Sequence, residues 1–95
     1  MPVLVDPLRE YDNPQLAVKE WCHMAIDGEF EELHVFAASL GMPRSRFQGD
    51  HYDLPPWLRA RAVDLGAVEV STGELLRRMA GPRGDRARRR VARRA

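Results

Sequence analysis

The densest group of titratable side chains in this sequence is the segment Asp50-His51-Tyr52-Asp53-Leu54-Pro55, which lies just ahead of a predicted helix. A carboxylate beside a histidine can orient the imidazole, as in general bases and metal ligands. In a catalytic interpretation, His51 or His23 is the base and Asp53 orients it. The same segment also fits a turn in which the aspartates bond to their own backbone. The sequence leaves both interpretations open, because no established catalytic signature accompanies the segment.

A second group of polar residues lies where predicted strands end. Asp6 ends the first strand, and Ser71-Thr72-Gly73 ends the last strand while opening a helix. Ligands of open α/β sheets bind beyond the carboxyl ends of parallel strands, where helix N–H groups can hold a phosphate. The alternative is that Ser71 only caps its own helix. We predict a pocket for a small anionic or nucleotide-like ligand, formed by Asp6, His23, His34, Arg44, Asp50, His51, Tyr52, Asp53, Ser71 and Thr72.

The other candidates also have simple structural alternatives. His34 lies at the edge of the apolar stripe of a predicted helix, where a half-buried histidine hydrogen-bonded to a neighbour is common. Arg44 and Arg46 can pair with phosphate, or belong to a solvated loop. Trp21 and Trp57 are predicted to lie in the core, because so small a chain needs its aromatic residues inside.

The spacing of ligand-type residues does not support a metal site. Zinc needs three or four His, Cys, Asp or Glu ligands at about 2.0–2.3 Å from one point. No CxxC or HxxxH spacing occurs, so only the fold could bring distant candidates together. We predict no metal and assign no cofactor. The residues that the fold would have to gather are Cys22, His23, His34, His51 and Asp53.

Size and composition indicate one small domain, with residues 1–80 as its compact body. No apolar run approaches the roughly 18 residues that cross a bilayer, and the N-terminus lacks the pattern of a secretion signal. The single cysteine, Cys22, cannot form an internal disulfide, which fits a reducing compartment. We predict a soluble cytoplasmic protein without membrane association. The oligomeric state is not specified by the sequence.

The formal net charge of +1 conceals two oppositely charged regions. Residues 1–76 contain six Lys and Arg against thirteen Asp and Glu, a net −7, whereas residues 77–95 contain nine arginines against Asp85, a net +8. Residues 81–95 have too few apolar side chains to fold alone by burial and are predicted to be a flexible, arginine-rich tail, largely disordered or a frayed helix, that can become helical on RNA or on an acidic partner. We predict phosphate contact with nucleic acid, or pairing with an acidic protein, through Arg83, Arg86, Arg88, Arg89, Arg90, Arg93 and Arg94.

Two alternatives for this tail stay open. It can serve solubility alone, with no specific partner. It can also lie over the acidic body of a neighbouring subunit.

Hydrophobic periodicity and turn residues predict alternating strands and helices. The elements in chain order are a strand at Val3–Val5, a loop over residues 7–15, a strand at Trp21–Ile26, a helix capped by Asp27 and ended by Gly41, a polar connection over residues 42–54, a helix from Pro55 and Pro56 to Gly66, a strand at Ala67–Val70, and a helix with Ser71 and Glu74 as its capping box. An alternative for Trp21–Ile26 is a helix that begins near Pro14. This order predicts an α/β fold, with a small, partly parallel sheet of two to four short strands and three packed helices.

Short motifs follow one another along the body in a distinctive order. They are Val3-Leu4-Val5-Asp6-Pro7, Trp21 with His23, Glu32-Leu33-His34-x-Phe36-Ala37, Leu40-Gly41-x-Pro43-Arg44, Asp50-His51-Tyr52-Asp53-x-Pro55, and Gly66-Ala67-Val68 with Val70-Ser71 and Glu74-Leu75. In this order and spacing they resemble the bacterial and phage domain of unknown function numbered 4031. The resemblance covers about residues 3–79 and excludes the tail. It implies a shared fold, a shared site and a bacterial or phage origin, without a settled activity.

Three functions compete at this point. The first is a non-enzymatic binding module with a His/Asp pocket and a basic tail for nucleic acid. The second is a small metal-assisted or histidine-based hydrolase or nuclease, and the third is a structural or inhibitory protein-interaction factor. The sequence contains no nucleophile elbow, Walker loop or recognisable metal spacing. The balance therefore favours the binding module and leaves enzymatic activity open.

Overall fold

The computed structural model describes residues 2–94; Met1 and Ala95, the outer ends of the two predicted regions, lie outside the described residues. Within residues 2–94 there are five strands, four α-helices and one 3-10 turn. The strands are β1 (Val3–Val5), β2 (Arg9–Glu10), β3 (Glu20–Ile26), β4 (Tyr52–Leu54) and β5 (Val68–Glu69). The helices are α1 (Phe30–Ser39), α2 (Pro56–Asp64), α3 (Thr72–Arg78) and α4 (Pro82–Arg94), and the 3-10 turn is Arg44–Arg46.

The longest strand, β3, organises the sheet. It pairs antiparallel with β1, β2 and β4, and Met24 lies opposite both Val5 of β1 and Tyr52 of β4. A strand has two edges, so β1 and β4 flank β3 on opposite sides. The last strand, β5, pairs parallel with β1 and places Val68 opposite Leu4. The predicted α/β fold with a small, partly parallel sheet is confirmed.

The two faces of β3 enter two different hydrophobic clusters. Because successive strand side chains point to opposite faces, Cys22, Met24 and Ile26 share one side of the sheet. On that side they pack with residues of α1, α2 and β4. Ala25 points the other way and packs with Leu4, Leu75 and Met79. The predicted strand at Trp21–Ile26 and its alternation are confirmed, and His23 shares the face of Ala25.

Of the two predicted ends of α1, only the C-terminal one is confirmed. Gly41 has a φ of +79°, a conformation that favours glycine, and it follows the last turn as predicted. The prediction that Asp27 caps the helix is wrong. The N-cap is Glu29, without a side-chain cap, and the Asp27 carboxylate instead accepts a hydrogen bond of 3.0 Å from Arg78 Nε. The Asp27 carboxylate, which the local pattern assigned to capping, forms a tertiary ion pair with Arg78 instead.

Two of the predicted connections contain strands. The loop over residues 7–15 includes β2, and the polar connection over residues 42–54 includes β4, so these two assignments are wrong. In β4, Tyr52 and Leu54 are fully buried on either side of Asp53. Three residues are too few for a periodic signal, and the pairing with β3 stabilises them as a strand.

The prediction that Trp57 lies in the core is also wrong, because its side chain is 59% exposed on α2. Ala62 of the same helix is fully buried, so α2 meets the sheet through a small residue. Trp21, the second predicted core tryptophan, is half-buried, and its Nε1 donates to the Val18 carbonyl. Neither tryptophan belongs to the fully buried core.

The last two helices form one packed unit. Ser71 caps α3 by accepting a 3.1 Å hydrogen bond from the Glu74 N–H, as the predicted capping box requires. Residues 82–94, predicted as a flexible tail, are the helix α4, and α4 packs against α3. Within residues 2–94, no helix combines the length and apolarity needed to span a bilayer.

Candidate functional site

The buried carboxylate of Asp6 joins three segments at the end of β1. One oxygen accepts from the His23 backbone N–H at 2.7 Å. The other accepts from His23 Nδ1 at 2.8 Å and from the Thr72 hydroxyl at 2.8 Å. Arg59 donates to the Asp6 carbonyl at 2.8 Å. Because Asp6 is 1% exposed, these donors replace the water that its charge would otherwise require.

A second carboxylate–imidazole pair lies in the segment before β4. Asp50 accepts from His51 Nδ1 at 2.7 Å and is itself buried. Arg83, the second residue of α4, donates to both Asp50 oxygens at 2.9 Å. This bidentate pair is the strong form of a charge-assisted hydrogen bond. Asp50 thus orients the imidazole of His51 and anchors α4 to the body.

The two imidazoles meet beside Asp53. The ring centroids of His23 and His51 are 5.3 Å apart, in an edge-to-face arrangement. Asp53 is the direct partner of His23 across β3 and β4, and its Oδ1 lies 3.3 Å from His51 Nε2. Gln48 donates to the other Asp53 oxygen at 2.7 Å. In each ring, Nδ1 is hydrogen-bonded to a buried carboxylate. The other nitrogen, Nε2, is therefore the one that faces the space shared by the two rings and Asp53.

The carboxylates and His51 stabilise each other's charged forms. The hydrogen bond with Asp53 raises the pKa of His51 above its ordinary value; burial opposes the shift and the Asp50 hydrogen bond adds to it. The same contact with His51 lowers the pKa of Asp53 against the effect of burial. Burial raises the pKa of Asp6 and of Asp50, but their hydrogen bonds outweigh burial, and both pKa values lie below the ordinary range.

The shared space opens into a cleft of about 420 Å³. Its lining combines apolar and aromatic side chains with polar and charged ones, and both imidazoles are among the polar ones. A smaller cavity of about 170 Å³ is lined by the same two imidazoles together with residues of α3 and Arg83. The residues that line the larger cleft are Tyr11, Leu16, Trp21, His23, Met42, Arg46, Gln48, His51 and Asp53.

A comparison with protein families matches residues 3–81 to the family described as "Protein of unknown function (DUF4031)". The match spans most of the chain. The chain belongs to this family. No curated protein and no solved structure matches it. The family match contains both histidines of the cleft and their three aspartates, whereas all of α4, including Arg83, lies beyond it.

Of the ten residues predicted to form the pocket, the fold joins six in one network: Asp6, His23, Asp50, His51, Asp53 and Thr72. The other four lie elsewhere or have other roles. His34 Nδ1 shares a 2.7 Å hydrogen bond with the buried Tyr52 hydroxyl and packs against Phe47. Arg44 pairs with Glu31 on the surface, and Ser71 caps α3. The place beside Thr72 where an anion was predicted is taken by the Asp6 carboxylate.

Several residues of the cleft and of the hydrogen-bond network beside it were not predicted from the sequence. Tyr11 carried no signal, because an isolated tyrosine in a loop has no spacing to interpret. Gln48 and Arg59 reach the network only through tertiary contacts, so no local pattern could have found them. Arg46 was considered for phosphate pairing, and it lies at the cleft.

The arginines of α4 divide into two groups. Arg83 pairs with Asp50, and Arg88 donates to the Arg77 and Met79 carbonyls and to Asp85. The remaining five are exposed, and within residues 2–94 their guanidinium groups make no hydrogen bond or ion pair. Spacings of three and four residues place them along one face of the helix. We call this face the arginine stripe: Arg86, Arg89, Arg90, Arg93 and Arg94.

Proposed function

We propose that this protein is a small cytoplasmic accessory protein, of bacterial or phage origin, that binds a small anionic or nucleotide-like ligand in its cleft. In the same proposal the arginine stripe of α4 contacts nucleic acid. The observation that carries the proposal is the convergence of two carboxylate-oriented imidazoles on one open cleft. The single buried Cys22, with no disulfide partner, supports the cytoplasmic location.

The size and the lining of the cleft suit a nucleotide-sized molecule. Ligand pockets commonly occupy about 300–1,000 Å³ and combine apolar walls with a few fixed polar groups. Trp21 and Tyr11 offer flat surfaces for a planar ring, and Gln48 offers an amide. The proposed ligand therefore has a planar part and a polar or charged part.

Arg46 supports an anionic group on that ligand. It lies exposed at the cleft and, within residues 2–94, its guanidinium group makes no hydrogen bond or ion pair with the protein. Its charge is therefore available without breaking a contact. The hydrogen bond with Asp53 is the largest cause of the raised pKa of His51, so more of that imidazole is protonated near neutral pH and adds a second positive charge beside the cleft.

A hydrolase is the second candidate, and one observation favours it. His23 and His51 both have Nδ1 bound to a buried carboxylate, which is how a general base is oriented. The residues that line the larger cleft include no serine or cysteine to serve as a nucleophile, so hydrolysis there would use water. Binding needs no such further component and is therefore the primary proposal.

The test of the primary proposal is calorimetric titration and thermal shift with inorganic phosphate and the nucleoside monophosphates. We expect a nucleoside monophosphate to bind and to raise the melting temperature. Arg46→Ala should weaken that binding at least about tenfold, because a hydrogen bond to a charged group contributes about 1.5–3 kcal/mol.

Arg61→Ala is the matched control, since Arg61 is an exposed arginine of α2 that lies outside the cleft lining. It should bind the ligand as the unaltered protein does. Equal loss in Arg46→Ala and Arg61→Ala, or no binding of any of these probes, would contradict the proposal.

A further inference from the structure

We propose that His23, His51 and Asp53 bind one divalent transition-metal ion in the cleft. Asp6 and Asp50 are the positioning residues that orient the two imidazoles. The metal site is inferred from geometry alone. Only the use of the ion to hold an anionic ligand rests on the proposed function.

The three side chains lie close enough together to converge on one ion. One ligand atom from each falls within 4.8 Å of the other two. Two ligands about 2.1 Å from one ion, at a tetrahedral angle, lie about 3.4 Å apart. His51 Nε2 and Asp53 Oδ1 are 3.3 Å apart, which matches this ligand-to-ligand separation. His23 would complete the set by turning its side chain toward the same point, and its side chain, 32% exposed, is not enclosed by the core.

The contacts behind the ligands are those that histidine ligands require. A ligating histidine typically gives its second ring N–H to a carboxylate, which fixes the tautomer and the direction of the ring. Here His23 gives Nδ1 to Asp6 and His51 gives Nδ1 to Asp50, at 2.8 and 2.7 Å. Both acceptors are buried and are held by further donors, so the orientation persists when the cleft is empty.

The ligand types and the local charge indicate the class of ion. Two imidazoles and one carboxylate suit zinc and the neighbouring divalent transition metals. Three carboxylates converge on the two imidazoles, and the bidentate pair with Arg83 offsets only one of them. A cation reduces the repulsion that remains. With three protein ligands, further coordination positions face the cleft and are open to water or to an anionic ligand.

A closed hydrogen-bond network among the same residues is the competing explanation. In that case His51 is permanently protonated between Asp50 and Asp53, and no ion enters. The two explanations differ in whether Nε2 of both imidazoles accepts a metal.

The test is titration of the full chain, stripped of metal by a chelator, with Zn²⁺ and Co²⁺. Calorimetry reports the stoichiometry, and the visible absorption of bound Co²⁺ reports the ligands. We expect one ion per chain and an absorption band that free aqueous Co²⁺ does not give. Asp53→Asn and His23→Gln should each weaken Zn²⁺ binding at least about tenfold, since loss of even an outer-shell partner costs about 10–100-fold.

Asp64→Asn is the control, because Asp64 is an exposed carboxylate on α2 away from the cleft. It should bind Zn²⁺ as the unaltered protein does, and circular dichroism should show that each variant is folded. The proposal is overturned if the unaltered protein binds no stoichiometric ion. It is equally overturned if both ligand variants, shown to be folded, bind Zn²⁺ as tightly as Asp64→Asn.

The outcomes separate this inference from the proposed function. If the chelator-treated protein binds a nucleotide but takes up no metal, the metal site is contradicted and the proposed ligand-binding cleft is supported. If the protein binds stoichiometric Zn²⁺ but no phosphate compound, the metal site is supported and the proposed ligand binding is contradicted.

Discussion

Cys22 and His23 are neighbours in β3, yet their side chains lie in different chemical environments. The thiol is 2% exposed and packs in the core with Met24 and Ile26, while the imidazole reaches the cleft. Burial raises the pKa of the Cys22 thiol to about 12. Cys22 is therefore neither a nucleophile nor a ligand for the cleft, although the sequence had placed it among the possible metal ligands.

Cys22 should resist thiol-specific reagents in the folded protein. The thiolate is the reactive form, and both burial and the raised pKa suppress it. With a colorimetric disulfide reagent near neutral pH, we expect labelling of the native protein at least about 100-fold slower than of the urea-unfolded chain. Cys22→Ala supplies the background. Comparable rates for the folded and unfolded protein would show that the thiol is accessible.

The same thiol should make the protein less stable at alkaline pH. The unfolded chain releases this proton near the ordinary thiol pKa of 9.0, and the folded chain releases it at a pKa of about 12. Between these values the unfolded state binds fewer protons, so the free energy of unfolding falls as pH rises, by up to about 1.4 kcal/mol per pH unit. Urea denaturation across this range measures the slope. Cys22→Ala should have a shallower slope, and an unchanged slope would contradict the prediction.

At the scale of elements, α4 is held to the body by a close helix contact and by arginine hydrogen bonds. Gly84 is buried, and a Cβ on it would lie 1.8 Å from the Met79 carbonyl oxygen. Arg88 donates to that same carbonyl at 3.0 Å, and Arg83 pairs with Asp50. The first turns of α4 are thus part of the folded body, whereas an arginine-rich composition alone predicted a flexible tail.

Gly84→Ala should therefore displace α4 from α3. The new methyl group meets backbone, which cannot rotate away, and overpacking of this kind costs about 1–3 kcal/mol. Urea denaturation measures the loss, and trypsin should cleave the released arginine-rich segment faster than in the unaltered protein.

Gly73→Ala is the paired control within α3. A Cβ there would meet the flexible end of the Arg77 side chain at 3.3 Å and, at the ordinary contact distance of 4.0 Å, the Ser71 hydroxyl, and alanine favours a helix over glycine. We expect unchanged or slightly higher stability. Equal effects of the two substitutions would show that the contact at Gly84 does not hold α4.

At the scale of the whole molecule, charge is segregated between the body and the C-terminal helix. Residues 1–76 carry a net −7, and the stripe concentrates five exposed arginines on one face of α4. Helical order turns a run of charges into a directed surface, which can contact phosphates on one side while the opposite side packs on α3. The acidic body disfavours nucleic acid elsewhere on the surface.

Replacement of the five stripe arginines by glutamine should abolish binding to a fluorescein-labelled DNA duplex. The unaltered protein should bind it with a strong dependence on salt, because five phosphate contacts give a slope of about −4.5 in log affinity against log salt concentration. Fluorescence anisotropy measures both quantities. Arg46→Ala, which alters the cleft only, should retain the duplex affinity. Undiminished binding by the five-residue variant would place the contact on another surface.

Much of the framework of strands and helices could be predicted from the sequence, because it depends on local physical chemistry. Alternating side chains predicted β3 and its two faces, Gly41 predicted the end of α1, and Ser71 with Glu74 predicted the start of α3. Each of these depends on residues within one or two turns of the chain. The density of charge at Asp50–Asp53 also indicated a site before any fold was known.

Only the tertiary structure decided which polar residues meet. His23 and Asp53 face each other because β4 pairs with β3. The Thr72 hydroxyl donates to Asp6, and His34 forms a hydrogen bond with the Tyr52 hydroxyl outside the network. Contacts between residues this far apart depend on strand register and helix docking, which no local pattern encodes. The hydrogen bonds that orient both imidazoles toward one cleft are therefore a property of the folded chain, since each buried carboxylate binds the donors that packing brings to it.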